Sequence, residues 1–125
     1  MTALDAVAIA LGAFLILVGI AHFLLPRYFR SLVPPWMRTP TAAVAATGAL
    51  EIALGIAVLV PATRAAGAWV TAALFAVYTV AVHGDAALRA SQQQERWLDR
   101  PSGVVARLLI HIVYLAWAVG IALGA

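Results

Sequence analysis

The sequence contains no cysteine. That absence removes disulfides, thiolate catalysis and thiolate metal sites together. Charge is almost as scarce: 10% of the 125 residues are charged and 65% are hydrophobic. This balance is too apolar for an ordinary soluble domain and fits a polytopic membrane protein. No basic residue precedes the first apolar run, and His22-Phe23-Leu24-Leu25-Pro26 lacks the small residues of a cleavage site. The first run is therefore expected to stay as a helix rather than be removed as a signal peptide.

A spanning helix needs about 20 predominantly apolar residues. Four stretches qualify, at about 4–25, 41–60, 65–86 and 104–123. They occupy most of the chain and predict a single domain over 1–125, an all-α four-transmembrane-helix bundle. The polar residues between them set its expected orientation. All eight basic residues are Arg: Arg27, Arg30 and Arg38 follow the first stretch, Arg64 follows the second, and Arg89, Arg96 and Arg100 follow the third, with Arg107 just inside the fourth. Short loops rich in Arg stay on the cytoplasmic side. Both termini are then expected outside, in the cell's inner (plasma) membrane, with loops 1 and 3 inside. The net charge of +3 belongs to this loop pattern, and no nucleic-acid partner is expected.

Several smaller signals concern packing. Phe29, Leu32, Val33, Trp36 and Met37 repeat at helical spacing with Arg27, Arg30 and Arg38 off that face, as in a short interfacial element. Pro34 and Pro35 argue against one continuous helix there. Gly12 and Gly19, and likewise Gly48 and Gly55, are seven apart and line one face of their helices. Gly120 and Gly124 form a small-xxx-small pair suited to close helix approach. Asp5 reads as an acid at a helix N-terminus, favoured by the macrodipole.

Every apolar stretch also carries an ionisable residue. These are His22; Glu51; His83 and Asp85; and Arg107 and His111. Such groups at membrane depth cost at least about 2.5–3.5 kcal/mol on insertion scales and normally face a bundle interior or wet cavity. Helix rise puts His22 about 6 Å inside the loop-1 end and Glu51 about 16 Å deep. Arg107, His111 and Tyr114 form a stripe at i, i+4 and i+7, and Tyr78 shares a helical face with Asp85, seven residues on. The expectation is one cytoplasm-facing pocket with Glu51 at its floor, lined by His22, Tyr78, Asp85, Arg107, His111 and Tyr114. His83 and Asp85 have a second reading, as solvated groups beyond the helix end. Glu51, His22 and His111 are the candidates for acid–base work. No His-x-x-x-His or Glu-x-x-His pair of the kind used by bundle metal sites is present, so a metal is not expected.

The blocks Gly19-Ile20-Ala21-His22-Phe23-Leu24-Leu25-Pro26, Val33-Pro34-Pro35-Trp36 with Pro40, Gly48-Ala49-Leu50-Glu51-Ile52-Ala53-Leu54-Gly55, and Ala106-Arg107-Leu108-Leu109-Ile110-His111 resemble the DoxX-like family of small four-helix membrane proteins. The resemblance spans nearly the whole chain. It implies redox- and quinone-linked membrane biology, with His22, Glu51 and Arg107 as pocket residues. The chain departs from that family at His111, where relatives carry Gln, and at Val82-His83-Gly84-Asp85. Three functions follow as expectations. The first is binding of a hydrophobic or quinone-like small molecule, linked to redox or detoxification chemistry. The second is a non-catalytic accessory subunit that docks a membrane-complex partner or a second copy of the chain. The third is an acid–base enzyme of isomerase or cyclase type acting on a lipophilic substrate. A transporter fits least, because no span is broken.

Overall fold

Prolines punctuate the chain. Pro26, Pro40, Pro61 and Pro101 each open a helix, where the missing N–H is not needed and the fixed φ is already helical. In the computed structural model, which describes all 125 residues, α1 is Ala3–Leu24, α2 Pro26–Leu32 and α3 Pro40–Leu59. The next span, Pro61–Arg89, is built from a 3-10 turn at Pro61–Thr63, α4 at Arg64–Val77, a π-helical stretch at Tyr78–His83 and α5 at Gly84–Arg89. After a loop with a 3-10 turn at Trp97–Asp99, α6 runs Pro101–Gly124. The chain is all-helical, with no strand. Four helices are long and apolar enough to cross a membrane: Ala3–Leu24, Pro40–Leu59, Pro61–Arg89 and Pro101–Gly124.

These are the four stretches expected from the sequence, with two extensions. The third span runs on to Arg89 as a polar tail, and α6 starts earlier, at Pro101. α1 packs on α3, α3 on α4, α4 on α6 and α6 back on α1, which closes a bundle. Its centre is Leu11, Leu15, Leu54, Val58, Phe75 and Ile121.

The closest approach is between α1 and α3. A Cβ built on Gly12 would lie 2.9 Å from the Gly55 carbonyl oxygen, and one on Gly55 would lie 2.7 Å from that of Gly12. Gly19 and Gly48 repeat the arrangement two turns away, at 2.8 and 3.1 Å. The helices are antiparallel, so each glycine lets the opposite backbone in. The seven-residue spacing read from the sequence is this contact. Gly120 and Gly124 behave differently. Nothing lies within 4 Å of a Cβ on Gly120, and one on Gly124 would meet only the Leu4 side chain. The expected close approach through this pair is not made within the chain, because α6 buries Ala118, Ile121 and Ala122 instead.

The two bundle ends are fastened by charge. At the end carrying the termini, Asp5 closes a capping box with Thr2 and accepts a hydrogen bond from Arg64 Nη1 at 2.7 Å. Arg64 is buried and its Nε donates to the Val58 carbonyl at 3.1 Å. Neither residue is only a dipole or orientation signal: together they tie α1 to α3 and α4. At the other end, α2 stops before Pro34-Pro35, as the prolines require. Phe29, Leu32, Val33 and Met37 are half-buried, whereas Trp36 is exposed.

Gly55→Ala is expected to destabilise the bundle by about 1–3 kcal/mol, since backbone rather than a flexible side chain meets the added methyl. Gly120→Ala is expected to stabilise it by up to about 1 kcal/mol through helix propensity. Unfolding in mixed micelles compares the two; the reverse order contradicts the glycine contact.

Candidate functional site

The ionisable residues fall into two clusters. The first joins α1, α3 and the π-helical stretch. His22 stands in the last turn of α1, with its Cβ against Gly48. Side chains lean toward the N-terminus of their own helix. In the antiparallel pair α1 and α3, His22 and Glu51 therefore lean toward each other. His22 Nδ1 donates to the Val18 carbonyl at 2.8 Å and lies 3.3 Å from Glu51 Oε2. The ring proton is committed to Val18, so the nearby carboxyl oxygen gains no hydrogen bond from it. Phe29 of α2 stacks on the imidazole, with centroids 3.8 Å apart and planes 20° from parallel.

Both side chains are buried, Glu51 at 3% exposure and His22 at 6%. The Tyr78 hydroxyl is close to the Glu51 carboxyl and to the Thr47 hydroxyl. Yet Glu51 Oε2 and the Tyr78 hydroxyl are buried without a hydrogen-bond partner in the protein. An unsatisfied buried polar group costs about 1–3 kcal/mol, and the two atoms face each other closely enough to interact while falling short of a well-formed hydrogen bond. His22 also lines a cleft of about 150 Å³ with Phe23, Pro26, Arg30, Thr41 and Val44. Phe23 and Thr41 are exposed, and of the first cluster only His22 lines the cleft.

The second cluster joins α6 to the π-helical stretch and the loop before α6. Arg107 Nε donates to His83 Nδ1 at 3.0 Å. A guanidinium only donates, so His83 Nδ1 must be the acceptor and its proton must sit on Nε2. That nitrogen lies 3.0 Å from His111 Nε2, which must then accept. His111 Nδ1 donates to the Arg107 carbonyl at 2.9 Å. The three residues form a closed ring in which each histidine is neutral with one fixed tautomer. A proton added to either imidazole would set donor against donor.

Arg107 is further held from outside the spans. Its Nη1 donates to the Leu98 carbonyl at 3.2 Å and to Asp99 Oδ1 at 3.1 Å. Asp99 also accepts from Arg96 Nε at 2.8 Å and Nη2 at 3.2 Å. The Arg96 hydrogen bond is the main reason that the Asp99 carboxyl is held below its ordinary value of 3.8, with the charges of Arg96 and Arg107 adding to it. The same contact raises Arg96. Gly103 makes the loop possible, because a Cβ there would collide with the Trp97 carbonyl.

The sequence placed seven residues in one pocket, and the structure does not bring them to one place. His22, Glu51 and Tyr78 meet in the first cluster, Arg107 and His111 in the second. Tyr114 packs in an aromatic group with Phe14, at a centroid distance of 4.9 Å, and Phe75, at 5.8 Å. Asp85 accepts from Arg89 at 2.7 and 3.0 Å and joins neither cluster. His83 is buried in the ring rather than solvated. The cause is the π-helical stretch, whose wider turn changes the phase of the span. Tyr78 and His83 both turn inward while Asp85 turns out. Asp99 also belongs to the second cluster, and its only sequence signal is an acid just before the Pro101 that opens α6. No three His, Asp or Glu side chains converge as a metal site.

The chain belongs to the family described as Domain of unknown function (DUF8561), which matches residues 11–122. That range contains both clusters. No curated protein and no solved structure matches the chain.

Nitrogen-15 spectra of the imidazoles are expected to show His83 as the Nε2–H tautomer and His111 as the Nδ1–H tautomer; the opposite pair breaks the ring. The Asp99 contact has its own pH signature. A carboxyl lowered by folding contributes stability above its unfolded value, and the contribution is lost as pH falls through the folded value. Amide protection of Trp97–Asp99 should hold from neutral pH down to about 4 and fall below it. Asp99→Asn should remove that pH dependence and cost about 1–2 kcal/mol, between an exposed and a buried pair.

Proposed function

We propose that the protein binds a hydrophobic, quinone-like small molecule in the membrane, in redox- or detoxification-linked chemistry. The polar head of the ligand is received by His22, Glu51 and Tyr78. The observation that carries this reading is the adjacent, unpartnered pair of Glu51 Oε2 and the Tyr78 hydroxyl, buried beside an imidazole that lines a cleft. Two polar atoms that fold unsatisfied are a loss unless something else binds them. In its reduced form a quinone-like head group carries a hydroxyl that can donate to the Glu51 carboxyl and accept from Tyr78. The DoxX-like blocks lie on the same residues, His22 and Glu51. In this reading the four spans sit in the inner membrane with both termini outside, as the seven Arg residues at the loop-1 and loop-3 end support.

The accessory-subunit reading draws on a different observation. Gly120 leaves open space on the surface of α6, where a helix of another protein has room to approach. Co-purification of a stoichiometric membrane partner, lost with Gly120→Leu, tests it.

For the ligand reading, a short-chain quinone analogue is titrated into the protein in lipid nanodiscs. Glu51→Met is expected to weaken binding at least about tenfold, while the unliganded protein gains up to about 1–3 kcal/mol because an unsatisfied group has gone. Unchanged binding contradicts the proposal. So does a large loss of stability, which would make Glu51 a structural residue.

A further inference from the structure

A second cleft lies at the bundle end that carries loops 1 and 3, between α2, α5 and the loop before α6. Its volume is about 70 Å³, and its polar lining is Arg89, Arg96, Arg107, Asp99, Gln94 and Ser31. It shares no residue with the His22 cleft. Three guanidiniums meet one carboxylate in this lining. Asp99 is fully engaged by Arg96 and Arg107. Asp85 reaches Arg89 from outside the cleft. With both acids counted, three cations face two anions, so one positive charge is in excess.

Two of the lining arginines keep unspent donors. Arg107 uses Nε on His83 and Nη1 on Leu98 and Asp99. Its Nη2 donates to nothing in the protein, and it is not among the atoms sealed away without a partner. Arg107 is itself buried, with its side chain at 7% exposure, and the His83–His111 ring fixes it in place. Arg89 uses Nε and Nη2 on Asp85, which leaves Nη1. A pre-positioned guanidinium with a free N–H, a second beside it and a net positive charge form a built anion site. Planar forks of this kind match the oxygens of phosphate.

We propose that this cleft binds a single phosphate-type oxyanion group, held by Arg107 and Arg89 with Arg96 as the third cation. A polar cleft of about 70 Å³ has room for one tetrahedral oxyanion group. Two sources present that chemistry, the head group of an anionic phospholipid and free inorganic phosphate.

The test uses the full chain in an uncharged maltoside detergent and has two arms. In the first, native mass spectrometry measures retention of dioleoylphosphatidylglycerol against dioleoylglycerol, which has no phosphate. In the second, thermal unfolding compares inorganic phosphate with chloride at matched ionic strength. Binding is expected in at least one arm, and the arm that responds names the source. Arg89→Gln is expected to weaken it about tenfold, the loss of one charge-assisted hydrogen bond. Arg89 is half-exposed and pairs only with Asp85, so this variant keeps the fold; Arg38→Gln, outside the cleft, is expected to leave binding unchanged. No binding in either arm overturns the proposal, as does binding that Arg89→Gln leaves intact or that Arg38→Gln weakens equally.

Discussion

The contact on which the rest depends is the approach of α1 to α3 across four glycines. Between two apolar helices in lipid there is no hydrophobic drive to associate, so packing and hydrogen bonds must hold them. Gly12 against Gly55 and Gly19 against Gly48 bring the backbones to a distance that no side chain would allow. That distance is also what places His22. Its Cβ occupies the space that Gly48 leaves, and from there the ring reaches both Val18 and Glu51. Packing and candidate site are therefore one feature: a larger residue at position 48 would displace the imidazole as well as the helix.

The two polar clusters differ in how completely they satisfy themselves. Arg107, His83 and His111 close a ring in which the imidazole donors and acceptors are all used. Asp99 anchors the ring to the loop. A network so complete fixes α6 against the π-helical stretch and leaves its imidazoles nothing to offer a ligand. His22, Glu51 and Tyr78 do the opposite. They accept the cost of burial and leave two atoms unpaired, and satisfied and unsatisfied networks have opposite energetic consequences. This contrast is the reason for proposing the ligand at the α1–α3 cluster rather than at the histidine ring.

Much of this was legible in the sequence. Span lengths follow from hydropathy, helix starts from Pro26, Pro40, Pro61 and Pro101, and the α1–α3 contact from glycines seven apart. His22 and Glu51 were legible as members of one site, but depths of about 6 and 16 Å by helix rise did not announce their direct contact. What failed was helical phase. A period of 3.6 carried through Tyr78 puts Asp85 inward and His83 toward water, but the π-helical stretch shifts the phase and reverses both. Nothing in Tyr78–His83 announces that wider turn, because it arises from how the span docks on α6. Pairings across loops were hidden for a related reason. Asp5 with Arg64, and Asp99 with Arg107, join residues whose proximity only the tertiary fold decides. Gly120 shows the converse: a packing motif with no helix of this chain to pack against.

The central claim is that Glu51 is held unsatisfied for a ligand's polar head. Difference infrared spectroscopy of the carboxyl band tests it most directly, with the band assigned by its loss in Glu51→Gln. On adding a short-chain quinone analogue to the protein in nanodiscs, that band should shift as the carboxyl gains a hydrogen bond. A band that stays in place at saturating ligand would contradict the account.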